Sequence, residues 1–395
     1  MPDNNNATGQ QEFDYIVVGA GSAGCLLANR LSADPNNRVL LIEAGGRDNY
    51  HWIHIPVGYL YCIDNPRTDW RFRTEPDPGL NGRSLIYPRG KTLGGCSSIN
   101  GMLYIRGQAR DYNQWAEMTG EDAWNWDNCL PDFMRHEDHY RLDDSGDADP
   151  EHHKYHGHGG EWRVEHQRLK WKVLEDFATA CVEAGIPRTR DFNRGDNEGV
   201  DYFEVNQRSG WRWNTSKAFL RDAEKLPNLT LWHSTQVLGL ETENSGSGPR
   251  CVGVRVERSG GDDVIARAKR EVILSAGAIG SPQLLQLSGI GPADLLNEHG
   301  IDVVADLPGV GENLQDHLQI RPGVSSHPFR PHEHGAVTAV PVHPQLRGVQ
   351  TRQHRIPRSA PEPGRIRPTT SQFPGHHRQR LQPEPHQPGH RAHPQ

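Results

Sequence analysis

Hydrophobic and polar positions along the first 45 residues follow a strand, turn, helix and strand pattern. Tyr15 to Val18 form a short apolar run with β-branched residues, and apolar positions between Leu26 and Leu31 recur at helical spacing. The run RVLLIEAGG, from Arg38, predicts a second strand that ends in an acidic residue. This order predicts a βαβ unit and an α/β fold, with a Rossmann-like parallel sheet covered by helices.

Three glycines lie in the predicted turn after the first strand. Gly19 permits the tight turn, Gly21 lets the backbone approach a pyrophosphate, and Gly24 lets the helix pack closely on the strand. Glu43 follows about 20 residues later, where a carboxylate can accept hydrogen bonds from both hydroxyls of an adenosine ribose. The pattern predicts a dinucleotide site formed by these four residues and their neighbours Ser22, Ala23 and Ala44. It does not separate FAD from NAD.

Composition divides the chain near residue 322. All ten Trp, ten Tyr, six Cys and four Met precede that point, whereas the residues from Gly323 onward hold 13 of the 29 Pro and 10 of the 22 His. Leu, Ile, Val and Phe make up about 15% of this tail, too little apolar surface to offset the entropy of ordering. Residues 322–395 are therefore predicted to be disordered, as is the polar segment 1–11, which lacks a signal-peptide pattern.

Charge divides at the same place, with +7 on the tail and −14 on the rest, from a total of −7. An acidic body argues against a nucleic-acid surface, and the tail lacks the interleaved aromatic residues of RNA-binding segments, so RNA or anionic lipid is the weaker alternative. The sequence has no apolar run of transmembrane length. Six scattered cysteines predict reduced thiols and a cytoplasmic protein, either free or peripheral to the membrane.

Two longer passages identify a family by resemblance. YPRGKTLGGCSSINGMLYIRGQARDY, from Tyr87, and GAIGSPQLLQLSGIG, from Gly277, closely resemble the two signature sequences of the glucose–methanol–choline oxidoreductases, which are FAD enzymes. The resemblance extends from residue 12 to residue 321. It implies a discontinuous FAD-binding domain at 12–155 and 228–321, with 156–227 as the first segment of an α+β substrate domain.

The resemblance also implies where FAD is bound. In the family the first signature lies along the flavin, which implies contacts at Thr92, Leu93, Gly94, Gly95, Asn100, Gly101, Met102 and Leu103. The turn at Ala276 and Gly277, before a helix predicted from Pro282, is implied to close over the diphosphate side. Val237, in a strand predicted over 228–241, matches the position that holds the adenine through its backbone. Ile99 stands where some members attach FAD covalently through a His, so non-covalent FAD is implied.

The implied reaction is oxidation of an alcohol by hydride transfer to flavin N5, with a histidine that takes the hydroxyl proton. In the family that histidine lies well over a hundred residues beyond the GENLQDHL passage at 311–318, so no catalytic residue is assigned here. TDWRFRTEPDPGLNGR, from Thr68, resembles the choline dehydrogenase group more than the sugar oxidases. We expect choline or another primary alcohol as substrate and assign no electron acceptor. A non-catalytic FAD-binding or nonfunctional fragment is the alternative, and the flavin signatures disfavour an NAD-dependent dehydrogenase.

Two further features carry expectations. The abrupt change after Pro322 predicts an out-of-frame translation of GC-rich DNA that truncates the family sequence, and a genuine disordered tail is the alternative. Translation of the other two frames downstream of Arg321 distinguishes them. The histidines at 152, 153, 156 and 158 are closely spaced, but the sequence around them shows no carboxylate pattern, so no metal is predicted.

Overall fold

The computed structural model describes residues 10–142, 151–246, 248–258 and 263–317. Their contacts form two compact units. The first contains the described residues up to Gly101 and from Trp211 to Gln315, and the second extends from Met102 to Gly210. The predicted tail lies outside the described residues, so the expectations about it stay predictions. Strand β1 begins at Gln10, inside the segment predicted to be disordered, because its backbone pairs in parallel with a later strand from Ile265 onward.

The first part of the first unit carries the predicted βαβ pattern. Its elements are β1 (Gln10–Val18), α1 (Ser22–Ser32), β2 (Val39–Ile42), α2 (His51–His54), α3 (Tyr59–Cys62), β3 (Phe72–Arg73) and β4 (Ile86–Tyr87), with 3-10 turns at Pro56–Gly58, Pro78–Leu80 and Gly95–Ser98. All four residues of β2 are buried, as expected for a strand covered on both faces.

The second unit is built from short elements. They are β5 (Leu103–Tyr104), α4 (Ala109–Thr119), α5 (Trp126–His136), β6 (Glu137–His139), α6 (His152–Tyr155), β7 (Trp162–Val164), α7 (Lys172–Glu183), β8 (Glu204–Val205) and β9 (Gln207–Arg208), with 3-10 turns at Asp122–Trp124 and Tyr140–Leu142. β5 pairs antiparallel with β8, and β6 pairs in parallel with β7. With so little regular sheet, buried polar side chains contribute much of the interior of this unit.

The chain then returns to the first unit. The remaining elements are β10 (Trp211–Arg212), a π-helical turn at Ser216–Leu220, α8 (Arg221–Ala223), β11 (Leu229–Trp232), β12 (Gln236–Ser245), β13 (Gly248–Glu257), β14 (Asp263–Leu274), α9 (Gly277–Leu287), β15 (Ile290–Gly291), α10 (Ala293–Glu298) and β16 (Ala305–Asp306). None of the helices among the described residues is long and apolar enough to cross a membrane.

The main sheet has six strands in the order β11-β2-β1-β14-β13-β12. The first four are parallel and the last two are antiparallel. Apolar side chains from both halves form one core that includes Phe13, Ile16, Leu40, Val254 and Val256. The Rossmann-like α/β prediction is confirmed, with the qualification that two antiparallel strands extend the parallel sheet.

Two predicted element boundaries were wrong. The single strand predicted over 228–241 is two strands, since Ser234 has a φ of +52° and breaks the extended chain. The Ser234 and Thr235 N–H groups donate to the carbonyl oxygens of Gly45 and Glu43, which turns the chain from β11 to the opposite edge of the sheet. The helix predicted from Pro282 begins at Gly277, five residues earlier.

Candidate functional site

The glycine turn packs against the turn that follows β14. Gly19 has a φ of +98°, and a Cβ there would lie 2.7 Å from the Ser275 carbonyl oxygen. A Cβ on Gly24 would overlap the Gly19 carbonyl oxygen. The Ser275 hydroxyl donates to the carbonyl oxygens of Val18 and Gly19, at 3.0 Å each. The predicted residues Gly19 and Ala276 are therefore brought together at the carboxyl ends of neighbouring parallel strands.

The N-terminus of α1 is open to a ligand. Gly21 is its N-cap residue, and within the described chain no side chain caps it and no acidic residue lies in its first turn. Ser22 and Ala23 are exposed. The first N–H groups of a helix lack intrahelical partners and lie at its positive end, so this terminus suits a diphosphate.

Glu43 lies directly after β2 and is buried. Its Oε2 accepts from the Ala20 N–H at 2.9 Å and its Oε1 from the Gly45 N–H at 2.8 Å. Burial raises its pKa to about 7, although both amides and Lys91 oppose the shift. A carboxylate can accept about four hydrogen bonds, so both oxygens keep capacity for ribose hydroxyls. Ala44 is the half-buried residue between Glu43 and Gly45.

The loop of the first signature, called the signature loop below, packs against the residues that follow β2. Its contacts there are made by Thr92 and Leu93. The Thr92 hydroxyl donates to the Gly46 carbonyl oxygen at 3.0 Å, as does the Leu93 N–H. A Cβ on Gly45 would overlap the Lys91 carbonyl group, so this approach requires glycine. Thr92 and Leu93 are both buried.

The next two residues of the loop reach the glycine turn. The Gly94 N–H donates to the Ala20 carbonyl oxygen at 2.8 Å. A Cβ on Gly95 would lie 2.7 Å from the Cα of Gly21. The structure thus brings Gly19, Gly21, Gly24, Glu43, Thr92, Leu93, Gly94, Gly95 and Ala276 to one site. These backbones approach closely enough to require glycine, and the uncapped N-terminus of α1 beside them suits a cofactor with a diphosphate.

Asn214 and Thr215, which follow β10, support this loop through hydrogen bonds. Ser97 Oγ lies 2.9 Å from Thr215 Oγ1 and accepts from the Thr215 N–H at 3.0 Å. The Asn214 amide donates to Ser98 Oγ at 2.8 Å and to Asp48 Oδ2 at 3.0 Å. Sequence analysis missed these supports. They lie in QRSGWRWNTSKAFL, from Gln207, a polar run that carries no ligand pattern of its own.

The other predicted contacts are more dispersed. Asn100 and Gly101 are exposed at the end of the loop, and Gly277 is exposed with a φ of +82°. Val237 is buried in the sheet core and lies opposite Val256. The adenine contact expected at its backbone stays a prediction.

Met102 and Leu103 open the second unit and are described with it. The Met102 carbonyl oxygen accepts from the Asn206 N–H at 2.8 Å. Leu103 pairs with Val205 in the short β5–β8 ladder. Their expected role beside FAD stays a prediction.

The second unit contains a buried charged cluster that the histidine-rich passage helps to form. His156 Nε2 lies 2.8 Å from Asp191 Oδ2, and its Nδ1 lies 3.3 Å from Glu137 Oε2. Burial alone would lower the pKa of His156, but hydrogen bonds to both carboxylates raise it. Burial alone would raise the pKa of Glu137, but His156 and Arg106 lower it to about 2. The His139 ring lies against His156, with centroids 3.8 Å apart.

Two sets of side chains in this cluster have metal-like spacing, namely Glu137, His139 and His156, and His152, His156 and Asp191. Arginines neutralise the carboxylates, with Arg106 at 2.7 Å from Glu137, Arg194 at 3.0 Å from Asp191 and Arg141 at 2.8 Å from Glu204. Because each carboxylate has a cationic partner, charge balance requires no divalent ion. The absence of a metal stays a prediction. The carboxylates come from distant positions, which explains why the local sequence does not show them.

The geometry defines a class of protein. A glycine turn at an uncapped helix N-terminus, with an acid after the next parallel strand, is the arrangement of a dinucleotide-binding α/β protein. The sequence profile described as GMC oxidoreductase matches residues 13–319. The chain therefore belongs to the GMC oxidoreductases, a family of FAD-dependent enzymes that act on CH–OH groups.

Named relatives share this part of the chain. An alcohol dehydrogenase (acceptor) of Pseudomonas putida is 46% identical over 312 residues, which cover 78% of this chain and 54% of the relative. The mitochondrial choline dehydrogenase of Mus musculus is 41% identical over 321 residues, which cover 80% of this chain and 51% of the relative. The chain spans about half the length of these curated relatives.

Solved structures agree with the fold. Pyridoxine 4-oxidase from Mesorbium loti has a TM-score of 0.70 and 35% identity, with 77% of this chain and 57% of that chain covered. A formate oxidase of Aspergillus oryzae has a TM-score of 0.71 and 32% identity, with 79% and 53% covered.

Proposed function

We propose that the chain belongs to an enzyme that oxidises a primary alcohol, choline or a related compound, to the aldehyde with FAD. The observation that carries the proposal is the convergence of the glycine turn, Glu43 and the signature loop at the carboxyl ends of β1, β2 and β14. In open α/β sheets ligands bind at this edge. The names of the relatives, choline dehydrogenase and alcohol dehydrogenase, supply the substrate class.

Different residues of the chain hold different parts of the cofactor in this proposal. The open N-terminus of α1, at Ser22 and Ala23, binds the diphosphate, and Glu43 accepts from the adenosine ribose. Thr92 to Gly95 and Asn100 to Leu103 line the ring system, while Ala276 and Gly277 cover the diphosphate side and Val237 contacts the adenine. FAD, when bound, accepts the hydride from the alcohol carbon. No described residue is assigned as the base.

Non-covalent attachment is part of the proposal. Ile99 is 3% exposed, packs with Ile53 and Cys62, and offers no nucleophile at the position where some family members carry a histidine. FAD should therefore leave the protein on denaturation, and its recovery in the supernatant after acid precipitation checks this expectation.

We further propose that residues 12–155 and 228–321 form the FAD-binding domain and that 156–227 is the first segment of the substrate domain. Apart from the first two residues of β1, the strands of the main sheet lie in the first two ranges, which supports this assignment, while the compact units themselves divide at Gly101/Met102 and Gly210/Trp211. The protein binds a small alcohol and an electron acceptor of unspecified kind, and no nucleic acid. A cytoplasmic location, free or peripheral to the membrane, is supported by six cysteines that are all unpaired.

The test is a titration of the purified chain with FAD, followed by an alcohol-dependent dye-reduction assay. Choline, an aliphatic primary alcohol and benzyl alcohol are the three substrates, and Glu43→Gln is the control for site-specific FAD binding. Saturable FAD binding with reduction by at least one alcohol supports the proposal. Binding without reduction by any alcohol supports the alternative of a non-catalytic FAD-binding chain. No saturable binding overturns both.

A further inference from the structure

Arg212 is an unusual buried arginine in the first unit. Its side chain has 0% exposure, and its guanidinium donates four hydrogen bonds. Nε donates to the Ile53 carbonyl oxygen at 2.7 Å, Nη1 to the Ser97 carbonyl oxygen at 3.0 Å and to Asn100 Oδ1 at 2.8 Å, and Nη2 to the Asn100 carbonyl oxygen at 2.7 Å. Three of the four bonds reach the end of the signature loop.

All four acceptors are neutral oxygens. Within residues 10–142, 151–246, 248–258 and 263–317, no carboxylate forms an ion pair with Arg212. Burial lowers the pKa of Arg212 to about 10, so it remains charged at neutral pH. Arg106, also buried, lies 2.7 Å from Glu137. A buried charge without a counter-ion is costly, and an apolar side chain would fill the space at lower cost unless the charge or the guanidinium fork is needed.

The neighbours of Arg212 act on the same stretch. Thr215 bonds Ser97 and Asn214 bonds Ser98 through side chains that are almost fully buried. Residues 212–215 therefore fix residues 97–100 at both backbone and side-chain level. The planar guanidinium fork can bond two carbonyl oxygens and an amide oxygen at once, which an ammonium group does less rigidly.

We infer that Arg212 is the positioning residue of the Ser97–Asn100 turn and that its unneutralised charge favours the reduced, anionic state of the flavin that this turn contacts. This inference rests on the proposed function for the cofactor contact at Asn100. Hydride transfer breaks a C–H bond of the alcohol and adds two electrons and one proton to the flavin. The hydroxyl proton leaves to a base, and the ring system gains one negative charge. A fixed positive charge in a low-dielectric interior stabilises that product.

The substitutions separate geometry from charge. Arg212→Lys keeps the charge and loses the fork, whereas Arg212→Gln loses the charge. Arg267→Lys is the matched control, because this arginine is partly exposed and lies 2.6 Å from Glu243, outside the loop contacts. Three readouts are needed: backbone hydrogen exchange of residues 94–101 without FAD, the Kd for FAD from flavin fluorescence, and the midpoint potential of bound flavin from equilibration with redox dyes.

We expect exchange of residues 94–101 to accelerate, and the Kd for FAD to rise about tenfold or more, in both Arg212 variants, because each loses at least one charge-assisted hydrogen bond. The midpoint potential should fall in Arg212→Gln and stay near wild type in Arg212→Lys. The control should change none of the three. A merely structural role would lower thermal stability without separating the two variants in potential.

Unchanged exchange and affinity in both variants overturns the positioning role, and equal potentials overturn the role of the charge. If neither variant folds, Asn100→Ala removes one of the four bonds at an exposed residue. Faster exchange confined to 97–101 in that variant supports the positioning role, and unchanged exchange overturns it. If the wild-type chain binds no FAD, the proposed function and the charge role both fail, while the exchange measurement still decides the positioning role.

Discussion

Glu43 gives FAD binding a defined pH dependence. Burial raises the pKa of this carboxyl group to about 7, so a large fraction is protonated near neutral pH in the cofactor-free chain. The ionised form is the stronger acceptor for ribose hydroxyls. Binding should therefore release a proton at pH values below about 7 and release none well above it.

The size of the effect follows from linkage. If Glu43 is ionised in the complex, the Kd rises tenfold, or about 1.4 kcal/mol, for each pH unit below the pKa of the free chain. Between pH 8 and pH 6 the Kd should thus increase about tenfold, with nearly all of the change below pH 7. The sign is set by the direction of the shift. Protonation of a carboxyl group with a raised pKa weakens FAD binding as pH falls. A carboxyl group with an ordinary pKa would leave the Kd for FAD unchanged between pH 8 and pH 6.

The assay is a titration of flavin fluorescence at half-unit steps from pH 5.5 to 8.5, for wild type and Glu43→Gln. The glutamine keeps the shape and one acceptor oxygen but has no titrating proton. We expect weaker binding in the variant at pH 8 and no change between pH 6 and pH 8. A flat wild-type profile, or the same slope in both proteins, would refute the reasoning.

Three further predictions concern packing and charge. Gly24→Ala should destabilise the chain, because its Cβ would overlap a carbonyl oxygen. Gly21→Ala should leave the midpoint of urea unfolding unchanged, since its Cβ meets only one protein atom, at 3.9 Å. It should still abolish FAD binding. Because the pKa of His156 is raised, its stabilisation is complete well below pH 6.5 and is lost as pH rises through the folded value. His156→Gln should therefore flatten the fall in unfolding free energy above about pH 6.5. Arg106→Met should cost about 3–5 kcal/mol in the same unfolding assay, as it leaves Glu137 buried without its arginine, and Lys154→Met at an exposed pair should cost nothing measurable. An Arg106 variant as stable as wild type would contradict the account of the buried pair.

Local patterns were sufficient to predict the βαβ part of the candidate site. The strand, the glycine turn, the helix and the second strand are contiguous, and each glycine has a steric reason that a sequence can express. The break at Ser234 was not predictable in the same way. Its positive φ is stabilised by hydrogen bonds to Gly45 and the neighbouring residues of a distant segment, and polar strand residues alternate in the same manner on either side of it.

The charged cluster and Arg212 show why the rest of the site was missed. Glu137, His156 and Asp191 approach one another only after folding, so their sequence spacing resembles an ordinary polar surface. In the sequence, Arg212 is one basic residue between two tryptophans, a pattern that indicates no particular role. Its four neutral acceptors include backbone carbonyl oxygens, which every residue has and which a side-chain pattern cannot reveal.

The order of strands in the main sheet also sets the timing of assembly during synthesis. The inner strand β1 pairs with β14, so that Ile16 lies opposite Val272. At about 5–20 residues per second, β1 leaves the ribosome roughly 10–50 seconds before its partner exists. Throughout that interval an apolar strand and the glycine turn have one open edge, and contacts this distant in sequence form slowly. The nascent chain should therefore depend on chaperones that shield its first forty residues.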